Sequence, residues 1–225
     1  IVYNELGEYD KAIEFHNKAI AILEKSPTPV EFQSKATTMN NLGLVYLNLG
    51  QFQKAIPYFE KGLEQKNDLI LYKPFVYGML LNNLGYSRFK LKNLNGIPEL
   101  FYESLKVRDS LKLTIGIIAT KLNISEYFAS KGNLSKSLQY SNEALVEARE
   151  SKNARNLLPP LKQLAIIEPQ KAAEYNKEYI RINYSIQKAD RKIADKFTRI
   201  EYETDEIKQE NTDLTEQNRN IVFAF

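Results

Sequence analysis

Apolar residues recur at helical spacing along the whole chain, and no stretch alternates in the way a half-buried strand does. Met39, Leu42, Val45, Tyr46 and Leu49 form one stripe, and Phe52, Ala55, Ile56, Phe59 and Leu63 form an answering one. Gly50-Gln51 separates them, so two helices joined by a tight turn are predicted. The same phrase returns elsewhere. LGEYDKAIEFHNKAI (6–20), LGQFQKAIPYFEKGL (49–63) and KGNLSKSLQYSNEAL (131–145) share a turn glycine (Gly7, Gly50, Gly132) and a small residue where helices cross (Ala12, Ala55, Ser137). Ala12 and Ala55 lie 43 residues apart. A period near forty built from helix pairs predicts a solenoid, in which each unit buries its apolar face against its neighbours.

The remaining units are less regular. NNLGLVYLN (40–48) is the first helix of the second unit, and LNNLGYSRFK (81–90) repeats it with Gly85 in the place of Gly43. Gly43 and Gly62 are expected where helix backbones approach. The third turn carries Lys92 where glycine is expected, and either Gly96 or Ile97 answers Ala55. In the fourth unit Ile117, Ile118, Leu122 and Ile124 lie on the first helix, and Leu134, Leu138 and Leu145 on the second. A fifth unit over 154–182 places Leu157, Leu161, Leu164 and Ala165 before a short turn at Ile167–Gln170, and Ala172, Tyr175 and Tyr179 after it. Pro159-Pro160 is expected in or before that unit's first turn, because an interior proline loses a hydrogen bond and clashes.

Beyond Ile182 the pattern changes. Residues 183–220 contain no Gly or Pro, and Ile186, Ile193, Ile200, Ile207, Leu214 and Ile221 recur at steps of seven. That is one seam of a coiled coil. The second seam is poor, since Ala189 is followed by Lys196, Glu203, Glu210 and Gln217. A long charged helix is predicted, either solvated with its first turns capping the solenoid or paired with a second copy as a homodimer. The expected organisation is therefore a solenoid over 1–182, a charged helix over 183–220, and in 221–225 (IVFAF) the start of a membrane segment continuing beyond Phe225. The first unit is represented at Ile1-Val2-Tyr3 only by the tail of its first helix, so both ends read as cut.

Composition narrows the chemistry. A net charge of +3 is too balanced to imply a nucleic-acid surface, and no direct nucleic-acid contact is expected. The absence of cysteine removes disulfides, thiolate metal sites and a cysteine nucleophile. His16, the single histidine, is read as a packing or surface residue. Pairs such as Glu147 and Glu150 read as solvated charge. No nucleophile–base set can be named, and no cofactor, metal site or catalytic residue is expected.

These features resemble the tetratricopeptide repeat (TPR) family, most closely in NNLGLVYLNLGQFQKAIPYFEKGLE (40–64). The resemblance implies an all-α, right-handed superhelical solenoid of helical hairpins followed by a long C-terminal helix. A narrower likeness lies in ADKFTRIEYETDEIKQENTDLTEQNRN (194–220), which resembles the segment after the repeats in bacterial membrane-bound TPR sensor regulators. It implies a periplasmic, membrane-anchored sensory region, joined to a histidine kinase or helix-turn-helix output. Without that anchor the location is cytoplasmic.

One amide per unit stands at the same place on the first helix. Asn41, Asn83, Asn123 and Gln163 succeed one another at intervals of 42, 40 and 40 residues. An amide offers donor and acceptor together and suits the main chain of an extended peptide. The resemblance implies that first helices line a concave groove where such asparagines hold a peptide, with Leu44, Asn48, Tyr86, Lys90, Glu126 and Ser130 supplying specificity. The alternative is that the amides bridge adjacent first helices or face water. Three functions compete: a signal-input module that binds a peptide or protein, a passive scaffold that assembles partners, and an enzyme such as a phosphatase-like regulator, which no residue here supports over the other two.

Overall fold

The computed structural model describes residues 7–25, 29–64 and 66–223, with backbone alone at 29–33, 210 and 213–223. Among them the regular structure is helical: α1 (Tyr9–Leu23), α2 (Pro29–Asn48), α3 (Phe52–Leu63), α4 (Lys66–Tyr72), α5 (Pro74–Lys90), α6 (Ile97–Ser110), α7 (Thr114–Ser130), α8 (Leu134–Glu150), α9 (Ala154–Ile167) and α10 (Ala172–Phe223). A 3₁₀ turn at Pro169–Lys171 separates the last two. The helix tail expected at Ile1-Val2-Tyr3 lies outside the described residues. The chain divides into two compact units, Ile1–Asn176 and Lys177–Phe225, against an expected boundary after residue 182.

In the first unit α2, α5, α7 and α9 are first helices, and α1, α3, α6 and α8 are second helices. The turns explain where each hairpin bends. Gly7, Gly50 and Gly132 have φ of 76°, 70° and 73°, the left-handed region open to glycine. Lys92 adopts the same conformation at φ 59°. Its backbone closes the turn as the glycines do: Asn93 N donates to Arg88 O at 3.0 Å, just as Gln51 N donates to Tyr46 O at 2.8 Å. The bend of the third unit is therefore regular although its residue is not, but a further left-handed residue, Gly96 (φ 67°), follows before the second helix starts at Ile97. It is Ile97, fully buried, that answers Ala55.

Core clusters form within units and across the joints between neighbouring ones. Ala55, Phe59, Leu69, Tyr77 and Leu80 pack together, Ile97, Phe101 and Ile124 form a second cluster, and Ile118, Leu122, Ala144 and Ala148 a third. Three of the hairpins are each clasped at one crossing. A Cβ on Gly43 would lie 2.8 Å from Cδ1 of the buried Phe59 and closer still to its Cε1, and a Cβ on Gly85 would lie 2.8 Å from Cε1 of Phe101. In the fourth unit the matching positions are Ser125 and Ser141, whose hydroxyls bond at 2.7 Å. The glycines thus admit an aromatic ring from the partner helix rather than a bare backbone; Gly62 likewise receives the Leu80 side chain.

Two features depart from expectation. The short helix α4, burying Leu69, stands between the second and third units, and Pro74 then starts α5. Pro159 and Pro160 lie inside α9 rather than in or before its first turn. Having no N–H, they cannot bond the carbonyls of Arg155 and Asn156 four residues back. Pro160 is buried in the packing, whereas Pro159 is exposed on the first-helix wall.

The second unit consists of α10 residues. Ile193, Ile200 and Ile207 are 55%, 44% and 58% exposed, and Phe197 is 67% exposed. Ile186 is half-buried. The side chains of Leu214 and of 221–223, and residues 224 and 225, lie outside the described residues. Among the described residues no helix is long and apolar enough to cross a membrane.

Candidate functional site: the first-helix wall

The amide positions meet in the structure, in company that the spacing alone does not reveal. Asn123 Nδ2 donates to Asn82 Oδ1 at 2.9 Å, and Asn82 Nδ2 to Asn83 Oδ1 at 3.3 Å. Asn83 Nδ2 then donates to Asn40 Oδ1 at 3.0 Å, and Asn40 Nδ2 reaches Asn41 Oδ1 at 3.5 Å. Five side-chain amides form one relay running from α7 through α5 to α2. Gln163 Nε2 extends the theme, donating to the Leu122 carbonyl of α7 at 3.0 Å. Of the two roles open to these amides, bridging adjacent first helices is the one this geometry displays. Asn40, Asn82 and Asn83 are buried, while Asn41, Asn123 and Gln163 are half-buried, the last two facing a cavity of the wall.

Each bond of the relay involves either Asn40 or Asn82, yet spacing does not single them out. Their signal is the doublet Asn-Asn at 40–41 and 82–83, each before Leu-Gly. The first asparagine of a doublet accepts from the next unit, and the second lies on the wall or bonds backward.

The wall beside the relay is hollow. A cavity of about 350 Å³ is lined by Tyr86, Leu122, Asn123, Glu126, Pro159 and Gln163, among others. A second, of about 450 Å³, brings Tyr86, Lys90, Glu126 and Gln163 together with Pro159 and Ile166. Five predicted groove residues, Tyr86, Lys90, Asn123, Glu126 and Gln163, therefore line these two hollows from α5, α7 and α9. Leu44 (half-buried) and Asn48 (exposed) lie on α2, away from these cavities. Ser130 donates its hydroxyl to the Tyr127 carbonyl at 2.7 Å.

Lys90 Nζ bonds Glu126 Oε1 at 2.6 Å and lies 5.0 Å from the centre of the Tyr86 ring. Burial works against the ammonium, but the Glu126 hydrogen bond and charge outweigh it and hold Lys90 above the ordinary lysine range. Tyr86 is steadied by an edge contact with Phe52, ring centroids 6.3 Å apart.

A second polar network ties the hairpins behind the wall. Glu103 accepts from Lys66 at 2.7 Å and from the Tyr77 hydroxyl at 2.5 Å, linking α4, α5 and α6. Burial and the Glu103 bond push the Tyr77 phenol up to about 12. His16, half-buried on α1, is pushed below the ordinary imidazole range by burial. Among the described residues no group of three or more His, Asp or Glu is placed to hold a metal.

Comparison with known proteins agrees with this architecture. Residues 1–68 match the family model described as tetratricopeptide repeat. Outer dynein arm-docking complex subunit 4 of Danio rerio is 36% identical over 59 residues, which is 26% of this chain and only 12% of that relative's length. Among solved structures, BtubC (BKLC) from P. vanneervenii superposes with a TM-score of 0.64 at 13% identity, over 79% of this chain and 74% of that one. TPR-like repeats of a Podosopora anserina kinesin light chain candidate superpose with a TM-score of 0.62 at 14% identity, over 83% and 92%. The fold is a TPR-type solenoid with a long C-terminal helix, a class whose members are generally protein-binding scaffolds rather than catalysts.

Proposed function

We propose that this chain is a non-catalytic TPR module that takes a peptide or protein segment along its first-helix wall and serves as the sensory input of a bacterial signal-transduction or transcription regulator. The observation that carries the binding role is the convergence of Tyr86, Lys90, Glu126 and Gln163 on one hollow of about 450 Å³. Aromatic face, paired charges and amide edge supply the adaptable contacts an extended segment needs. Because Asn83 is buried and donates to Asn40, main-chain recognition falls to the half-buried Asn123 and Gln163, through the amide groups that their bonds to Asn82 and Leu122 leave unused.

A photo-crosslinking residue at Ile166, 71% exposed at the hollow's rim, tests this in the full-length protein. A crosslinked partner there, lost on Glu126→Lys and not formed from the exposed outer position Gln139, supports the reading. Equal crosslinking from Gln139 refutes it. The bacterial membrane-regulator setting rests on the resemblance of 194–220. Full-length protein that fractionates away from membranes and carries no output domain contradicts it.

The scaffold reading has its own support in the exposed Ile193, Ile200 and Ile207 of α10, which suit a second copy. Ile200→Asp with Ile207→Asp is expected to shift a dimer to monomer in sedimentation velocity. An unchanged sedimentation coefficient removes the seam from the assembly.

A further inference from the structure

Arg108 is a charge with no counter-charge. It lies near the end of α6, is 6% exposed, and among the described residues no carboxylate pairs with it. Nη1 donates to the Gly116 carbonyl at 2.6 Å and to Thr120 Oγ1 at 2.7 Å. Those bonds occupy one of three nitrogens; among the described residues Nε and Nη2 have no protein partner, and neither is wholly sealed from solvent. Burial alone pushes the guanidinium down to about 10.

The repeat does not require this arginine. The corresponding place in the next unit is Ala148, equally buried, which packs α8 without any charge. Here the chain instead makes room for a guanidinium. A Cβ on Gly116 would lie 2.9 Å from Arg108 Cδ and 3.1 Å from its Nε, so the group rests on a glycine. Burying an unpaired cation is unfavourable unless something returns the lost solvation.

The guanidinium borders a cavity of about 610 Å³ between α5 and α7, within the size range of small-molecule sites, roughly 300–1,000 Å³. Its wall is mainly apolar: Phe75, Met79, Leu113 and Ile115, with Lys112 at the margin. Phe75 and Ile115 are 52% and 69% exposed. An apolar hollow with one buried cation is complementary to a molecule that is apolar except for one negative end.

We propose that this cavity binds a small amphiphilic carboxylate, with the carboxylate on Arg108 and the apolar body against Phe75, Met79 and Ile115. Asn82 and Asn83 line the same cavity, so the ligand sits against the amide relay that joins α2, α5 and α7. Occupancy there sets the spacing of the first helices and so tunes the wall on which a protein segment is proposed to lie.

Isothermal titration of the full-length protein with octanoate, octylamine and octanol tests the assignment. Saturable binding of octanoate only is expected, weakened about tenfold or more by Arg108→Met, as for loss of a charged hydrogen bond. Ile115→Asp, an exposed change that spares the packing, is expected to weaken octanoate similarly by repulsion, and Ile115→Lys to preserve it. Absence of saturable octanoate binding, equal binding of octylamine or octanol, or indifference to both Arg108→Met and Ile115→Asp overturns the proposal. Should Arg108→Met fail to fold, the opposed Ile115 variants decide it alone.

Discussion

Asn82→Ala removes the middle of the amide relay, and the geometry around it fixes the cost. Asn82 is 6% exposed and serves two neighbours: its oxygen receives Asn123 Nδ2 at 2.9 Å and its amide group supplies Asn83 Oδ1 at 3.3 Å. A buried polar group left without a partner costs about 1–3 kcal/mol. Asn83 is buried, but its lost bond is long and stands at the low end of that range. Asn123 is half-buried, so water recovers part of its loss. The sum is about 2–3 kcal/mol for Asn82→Ala. Asn123→Ala, at the relay's end, orphans one oxygen and costs about 1 kcal/mol, while Asn41→Ala touches only the 3.5 Å contact and costs less still. Asn82→Ala with Asn123→Ala should fall short of additivity by about 2–3 kcal/mol, since with both partners of the shared bond removed neither is left orphaned. Urea denaturation followed by circular dichroism at 222 nm measures each value. A cost for Asn82→Ala no larger than for Asn41→Ala, or strict additivity in the pair, would refute the relay as a structural unit.

Three other outcomes are expected. Gly43→Ala gains about 1 kcal/mol of helix propensity but drives a methyl into the Phe59 ring, an overpacking of about 1–3 kcal/mol; a net fall in melting temperature, relieved in a Phe59→Leu background, is the expected reading, and an unchanged or raised melting temperature contradicts it. Lys92→Gly releases a lysine from the left-handed region and should stabilise by about 1 kcal/mol; destabilisation in the same denaturation assay would place a contact of Lys92 above its backbone conformation. Although burial opposes ionisation, Lys66 and Tyr77 hold Glu103 below its ordinary 4.5, so its contribution is present above that value and is lost as pH falls through the lower folded value. The stability gap between wild type and Glu103→Gln should therefore close on acidification below 4.5, and a gap that persists in acid shows that charge is not its source.

How much can be read from the sequence depends on whether a residue obeys the repeat. Ala55, Phe59, Leu122 and Leu164 recur at helical spacing, and their burial is a consequence of it. The Lys92 turn is regular although its residue is not, because the backbone bond from Asn93 to Arg88 holds a conformation that glycine merely makes easier. Pro159 and Pro160 mislead for a related reason: rules for isolated helices say little where neighbouring helices already hold the segment. At the site, the positions of Tyr86, Glu126 and Gln163 are legible from the period. The relay is not, because donor and acceptor come from different units and only stacking brings Asn123 to Asn82. Arg108 is silent for the opposite reason, being one unrepeated charge in a chain rich in lysine and arginine.

The hairpin crossings limit how such a chain can be recombined. Gly43 with Phe59 and Gly85 with Phe101 are interlocking shapes, whereas Ser125 with Ser141 is a polar handshake. A chimera that exchanges entire hairpins carries each matched couple with it. One that splices the first helix of the second unit onto the second helix of the fourth leaves Gly43 facing a serine too small to fill the notch, and the converse splice drives Phe59 against the Ser125 hydroxyl. A cut within a hairpin thus breaks a matched couple at once, whereas a cut between hairpins spares those couples and must preserve only the Gly62–Leu80 notch and the inter-unit amide bonds.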